Sequence, residues 1–411
     1  MPFLHERLAN GLDVVAETSP GAVSTSVGFF VRTGARDETD AIWGASHFLE
    51  HMIFKGTSDL PGDEINRRFD RMGAAANAFT SEEDTVYYAS VLPEQQDEAV
   101  DLLARMMRPA LRAEDFDTEK LVILEEIRMY DDQPPFGADE RCRAAFFGDH
   151  PLGRSVLGTV GSIGGLEVQR LRDYHRRRYA PAGMVLAASG AVDFPALVES
   201  ARRLCGDWQP EPVGERRRPG PPRAAARAGL ERIRRPTAAL DYAVRLVAAP
   251  DESADDRWAA RLATLVLGDA SGSRLYWALV DSGAAEQAGC GHQEFLDAGL
   301  FVTQLAAAAE DIDGLLERAV EIEIEAARAG ITQAEFERGR NKLASRVVLS
   351  GERPRRRLFD VGLDWARLGR YLSVSDTLAR VESLSLDDVR RVLADWPLDA
   401  PAASVIAGRG A

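Results

Sequence analysis

Only three of the 411 residues are cysteine, and Cys142, Cys205 and Cys290 stand far apart. An odd, scattered set excludes a disulfide scaffold and a zinc site built on cysteine pairs, and it fits a reducing compartment. No run of about 18 apolar residues occurs, so no membrane-spanning helix is expected. The opening Met1-Pro2-Phe3-Leu4-His5-Glu6-Arg7 lacks the charged and apolar regions of a secretory leader. A cytoplasmic location is therefore expected, with a periplasmic one the alternative if a leader has been removed. Basic excess is missing too, since 50 Lys and Arg face 65 Asp and Glu for a formal charge of -15. Phosphate backbones are held by concentrated Lys and Arg, so nucleic acid is a poor candidate partner.

What is present is a chain that can build a large interior. Its residues are 45% hydrophobic, and its length exceeds the roughly 100–200 residues of one domain, so two or more cores are expected. Residues 209–229 carry Pro210, Pro212, Pro219, Pro221 and Pro222 with Arg216, Arg217 and Arg218, and no apolar periodicity crosses them. They read as a linker between an N-terminal domain, 1–208, and a C-terminal domain, 230–411.

In the first half, strands are expected over Arg7 to Glu17, around an Asn10-Gly11 turn, and over Val23 to Thr33, where Val27, Phe29 and Val31 alternate. Apolar spacings of three and four predict helices over Ala41 to Phe54, Asp63 to Met72 and Glu94 to Met107. Asn77 to Thr80 and Thr85 to Leu92 read as paired strands joined by Ser81-Glu82-Glu83-Asp84. A long helix follows over Glu114 to Tyr130, stopped before Pro134-Pro135, then helices at Gly165 to Arg178 and Phe194 to Leu204 flank a buried strand, Met184 to Ser189. The second half repeats this order in outline. Strands are expected near Tyr242 to Ala248 and up to Ala308, helices at Asp256 to Leu267, at Ser273 to Val280 and on to Ala394, and a last strand at Ala403 to Ile406. Val185 to Gly190 resembles Ser404 to Gly408 at the end of the other half, hinting at duplication. The fold class is therefore α+β: two similar α/β domains, each a mainly antiparallel sheet packed with helices.

The chemistry-bearing segment is His47-Phe48-Leu49-Glu50-His51, inside a helical pattern. Residues four apart share a helix face, so His47 and His51 can grip one cation. Zinc suits imidazole nitrogen, and a catalytic zinc takes three protein ligands and a water, so a third ligand must come from elsewhere. Glu50, one residue before His51, is placed to take a proton from a metal-bound water rather than to bind the metal. A structural zinc is disfavoured because no closed set of four Cys or His ligands is nearby. Carboxylates on the helix Glu114 to Tyr130 can supply the third ligand. Glu119 and Glu126 are seven residues apart and share a face, whereas Glu125 points elsewhere. Apolar Leu121, Val122, Leu124 and Ile127 predict that this helix is largely buried.

With these residues the sequence resembles the inverted-motif zinc peptidases, the superfamily of pitrilysin, insulin-degrading enzyme and mitochondrial processing peptidase. Their mark is H-x-x-E-H followed about 75 residues later by Glu, and Glu126 lies 75 residues after His51. Further matches are Asn10-Gly11-Leu12, His47 to Thr57, Asn77-Ala78-Phe79-Thr80, Glu119 to Asp132, His150-Pro151-Leu152-Gly153 and Leu157-Gly158-Thr159. The resemblance implies one zinc per chain with His47, His51 and Glu126 as ligands, Glu50 as general base and Glu119 orienting a ligand. It also implies that peptide adds as a strand along an edge containing Asn77, Ala78 and Phe79, and that two such chains enclose a chamber.

In this superfamily an Arg and a Tyr about seven residues apart, from the half without zinc, stabilise the oxyanion. Here Val280 stands at the Arg position and Glu286 or Gln287 at the Tyr position. Arg274 and Tyr276, two apart on a helix, face different ways and are poor substitutes. The expectation is a zinc-dependent endopeptidase subunit whose partner, a second subunit of the same family, donates Arg and Tyr in a heterodimer. A homodimer is one alternative; a non-catalytic assembly or binding subunit that keeps the peptidase fold is the other. His5, His150, His175 and His292 have no companion at ligand spacing and read as structural. Arg353, Arg355, Arg356 and Arg357 read as an exposed helix start.

Overall fold

The computed structural model describes residues 1–209 and 225–411, and within them the chain builds two mixed sheets. The first contains β1 (Phe3–Arg7), β2 (Asp13–Thr18), β3 (Thr25–Val31), β4 (Ala75–Thr80), β5 (Thr85–Val91) and β6 (Met184–Gly190). Their order is β1-β2-β6-β3-β5-β4, antiparallel throughout except for the parallel pair β2/β6. The second contains β7 (Gly229–Arg234), β8 (Asp241–Ala249), β9 (Gln287–Glu294), β10 (Gly299–Ala307) and β11 (Ala403–Gly408). Its order is β7-β11-β8-β10-β9, again with one parallel pair, β7/β11. Without β1 the two sheets have one topology. The similar segments Val185 to Gly190 and Ser404 to Gly408 lie in β6, inserted between β2 and β3, and in β11, inserted in the same way between β7 and β8. The expected fold class, two similar α/β domains with mainly antiparallel sheets, is what the structure has.

The described residues divide into two compact units that do not follow the chain in simple halves. One comprises Met1–Ile127, the chain from Ser155 to the linker, and Leu349–Val374; the other comprises Arg128–Arg154, the chain from the linker to Val348, and Ser375–Ala411. Residues 210–224 of the expected linker, with Arg216, Arg217 and Arg218, lie outside the described residues.

In the first unit, one sheet face carries Val14, Val27, Phe29 and Tyr87 into a core with Phe48, Leu49, Leu102, Leu171 and Leu197 from helices. Strand side chains alternate between faces, so Val15, Phe30, Val86 and Val185 point the opposite way. They pack on Leu358, Val361 and Ala366 of the helix Pro354–Leu368. Phe30 is thus as buried as Phe29, because both faces of β3 are covered. A Cβ added at Gly362 would come within 2.3 Å of the Phe30 ring, so only glycine admits so close an approach of helix to sheet. Arg357 corrects the expectation of a wholly exposed basic helix start. Its guanidinium is buried and donates to Glu17, which has no exposed surface.

The second unit likewise covers β8 and β11 with a helix from elsewhere in the chain. The helix Ala138–Phe147 sets Ala138, Cys142 and Phe146 against Val244, Leu246 and Val405. Neither this helix nor β7 was expected. The helix presents only a narrow apolar stripe, at 138, 142 and 146, between charged residues; β7 is an outer strand whose GLERIR sequence has little apolar content to read. Among the described residues no helix is long and apolar enough to cross a membrane.

Candidate metal centre

The helix Ala45–Ile53 begins at Gly44, whose φ of 92° is left-handed. A Cβ there would meet Ile163 at 2.6 Å and the Leu157 carbonyl at 2.9 Å, so glycine is needed on both grounds. The buried Glu38 carboxylate accepts hydrogen bonds from the Gly44 and Ser46 amides, each at 2.7 Å, and satisfies N–H groups that a helix start leaves unpaired. Phe48, Leu49 and Met52 turn into the core, which directs His47 and His51 to another face. Phe48 stacks on Phe116 of the helix Ala113–Asp132, with ring centroids 4.5 Å apart. That contact sets the second helix beside the first and brings its carboxylates to the imidazoles.

His47, His51 and Glu126 each offer one ligand atom, and these atoms all lie within 4.8 Å of one another. The His47 Nε2 to Glu126 Oε2 distance is 3.7 Å and the His51 Nε2 to Glu126 Oε2 distance 3.5 Å. Glu119 Oε2 meets His51 Nδ1 at 3.1 Å, and Lys55 Nζ holds the other Glu119 oxygen at 2.5 Å. In the neutral imidazole, with Nδ1 donating to Glu119, Nε2 of His51 is the lone-pair nitrogen. Lys55 was not anticipated; it lies one turn beyond His51, a signal that the seven-residue spacing of the glutamates does not contain.

Burial, aided by the His51 charge and opposed by Glu126, pushes His47 down to about 4, so its imidazole is neutral near pH 7. Burial alone would lower His51, but the Glu126 and Glu119 carboxylates outweigh it and hold this imidazole above its ordinary value. His51 in turn keeps Glu126 below the usual carboxylate range. Glu50 behaves differently, as burial raises it despite the Thr80 hydroxyl and His51. A carboxylate raised in this way is a better proton acceptor near neutral pH.

Glu50 Oε2 accepts from the Thr80 hydroxyl at 2.6 Å, which ties the helix to the end of β4. β4 is the outer strand of its sheet, and it carries the residues expected to meet peptide. Asn77 is exposed, Ala78 is buried in the core beside the helices, and Phe79 packs at 5.7 Å from the Phe359 ring on the opposite sheet face. The helix Ala113–Asp132 is less buried than its apolar residues predict. Leu121 is 66% and Val122 46% exposed, because only the stripe through Phe116, Glu119 and Ile123 faces the interior. Arg274 is engaged within its own unit, with Nε and Nη2 donating to Glu335 at 2.7 and 2.9 Å, while Val280 is half-buried and Glu286 and Gln287 are exposed. His5, His150, His175 and His292 each hydrogen-bond to a nearby protein group.

Residues 13–160 match the model of insulinase, peptidase family M16, and residues 165–343 that of the peptidase M16 inactive domain. A protein of Mycobacterium tuberculosis named an uncharacterized zinc protease is 33% identical over 390 residues, which cover 94% of this chain and 88% of that one. One of the same description in Streptomyces coelicolor is 33% identical over 407 residues, covering 97% and 88% of the two chains. In Bacillus subtilis the zinc protease YmxG is 30% identical over 384 residues, 92% of each chain. Among solved structures, a protease from Helicobacter pylori superposes with a TM-score of 0.90 at 20% identity over 99% of both chains. A peptidase M16 inactive domain from Pseudomonas fluorescens superposes with a TM-score of 0.89 at 19% identity, over 99% of this chain and 98% of that one. At such identities the two structures speak for the fold alone.

Proposed function

This chain belongs to the insulinase family of peptidases, M16, and from that premise we propose that it is a zinc-dependent endopeptidase subunit, with zinc on His47, His51 and Glu126 and Glu50 as general base. The observation that carries this is the spacing of the donor atoms. Ligands about 2.0–2.2 Å from a tetrahedral zinc stand about 3.3–3.6 Å apart; Glu126 Oε2 lies 3.7 and 3.5 Å from the two imidazole nitrogens, and all three donors lie within 4.8 Å of one another. The neutral state of His47 and the anionic state of Glu126 suit the same ion. Bound there, zinc would polarise the scissile carbonyl and acidify the attacking water.

The protein's own residues do the rest. Glu50 takes the proton from the attacking water and returns it to the leaving amine, acting as base and then acid. Glu119, itself held by Lys55, fixes the His51 ring so that Nε2 keeps its direction. A peptide or unfolded segment would add as a strand along β4 beside Asn77, Ala78 and Phe79, with backbone hydrogen bonds supplying affinity and little sequence preference.

The Arg and Tyr that would stabilise the oxyanion are missing from the stretch around Val280 and Glu286, and Arg274 is committed to Glu335. The complete enzyme is therefore a heterodimer whose second family subunit donates them within a closed chamber, with a homodimer as the alternative. The test is hydrolysis of a quenched fluorescent peptide by the zinc-loaded chain, alone and with the subunit that copurifies from its native host. One oxyanion donor is worth about 10²–10³ in rate, so the pair is expected to run at least about 10²-fold faster than the lone chain. Equal rates would overturn the requirement for a partner. No cleavage in either state, despite bound zinc, would leave a non-catalytic subunit.

A further inference from the structure

We propose that Thr80 is a positioning residue for Glu50: its hydroxyl fixes one carboxylate oxygen, so that the other faces the attacking water, and it fastens the base to the edge strand β4. The inference rests on Glu50 being the general base.

Three features of the local structure support it. First, side chains on β4 alternate, so Thr80 shares a face with Ala76 and with Ala78, which is buried in the core beside the helix Ala45–Ile53. The hydroxyl thereby meets Glu50 Oε2 at 2.6 Å, within the range of a charge-assisted bond. Second, Thr80 is itself well held. It pairs with Thr85 across the hairpin, whose turn is closed by Ser81 N donating to the Asp84 carbonyl at 2.8 Å. Thr85 in turn donates to the Thr33 carbonyl at 2.9 Å, and a β-branched side chain is stiff at χ1. Third, Glu50 needs such an anchor. Glutamate has three rotatable side-chain bonds, and Glu50 is only half-buried, so packing alone does not hold its carboxylate, whereas one fixed oxygen leaves the other in a single direction. Peptide docking along β4 would then be registered against the base through one residue.

The test compares Thr80→Val, which keeps the branched shape and strand preference but removes the donor, with Thr80→Ser, which keeps the hydroxyl. Each is measured for kcat and KM on a quenched fluorescent peptide, for zinc content, and for calorimetric affinity toward a peptide hydroxamate. A hydroxamate releases its hydroxyl proton to a carboxylate base on binding and needs no oxyanion donors, so this affinity can be read on the lone chain. Thr80→Val is expected to lose about 10-fold in kcat and in hydroxamate affinity, the scale of one hydrogen bond to a charged group. KM and zinc content should hold, and Thr80→Ser should recover most of the loss. Thr80→Val within about 2-fold of the parent, or equal losses in the two variants, would overturn the inference. Glu50→Gln separates the outcomes. If it abolishes hydroxamate binding while Thr80→Val does not, the base assignment stands and the anchor falls; if Glu50→Gln binds and cleaves like the parent, both fall.

Discussion

Glu50→Gln is expected to slow peptide hydrolysis by about 10²- to 10⁴-fold, the range for removal of a general base, while zinc content and melting temperature stay unchanged. Glutamine matches glutamate in shape, and its amide oxygen can still accept from Thr80, so local packing is retained. It cannot take up a proton. The lost interaction belongs to the transition state, so kcat should carry the fall and KM should change little. Steady-state kinetics beside metal analysis and a thermal melt separate this from unfolding. More than about a tenth of the parent rate in the variant would remove Glu50 from the base role.

Arg357→Ala is expected to destabilise the first unit by about 3–5 kcal/mol, the usual effect of breaking a buried ion pair from one side. Arg357 Nε and Nη2 donate to the two Glu17 oxygens at 2.8 and 2.6 Å, and the two side chains are 6% and 0% exposed. The Tyr371 hydroxyl adds a bond to Glu17 at 2.5 Å, and Arg357 also donates to the Leu372 carbonyl at 3.1 Å. Without the guanidinium the Glu17 charge would be buried with one hydroxyl for company. The helix that covers the second face of the sheet would lose its anchor as well. Urea unfolding checks this, with Arg356→Ala, 62% exposed, expected to stay within about 0.5 kcal/mol of the parent. A loss under about 1 kcal/mol for Arg357→Ala would mean that helix and sheet are held by apolar packing alone.

The candidate metal centre was legible because its parts follow helical arithmetic. His47 and His51 are four apart, and Glu119 and Glu126 seven apart, so each pair shares a face before any tertiary contact is known. The Phe48–Phe116 stack that brings the two faces together, and the Lys55 ammonium behind Glu119, depend on packing between helices remote in sequence. The Thr80 anchor was hidden for a similar reason, since it needs β4 to lie at the sheet edge beside the helix Ala45–Ile53. Leu121 and Val122 misled because an apolar residue says nothing about which stripe finds a partner. Arg357 misled in the opposite direction, as three of the four arginines near that helix start are exposed and only the fourth meets a buried carboxylate. The helices Ala138–Phe147 and Pro354–Leu368 each pack on a sheet whose strands lie elsewhere in the chain, a placement that local periodicity cannot encode.

Zinc content after exhaustive dialysis, compared between the parent chain, His51→Ala and Glu126→Gln, tests most directly whether these residues form the catalytic metal site. About one zinc per chain is expected in the parent, as for three protein ligands around one ion, with most of it lost in both variants and circular dichroism unchanged. A full equivalent of zinc kept by both variants, or none in a folded parent chain supplied with zinc, would contradict the assignment.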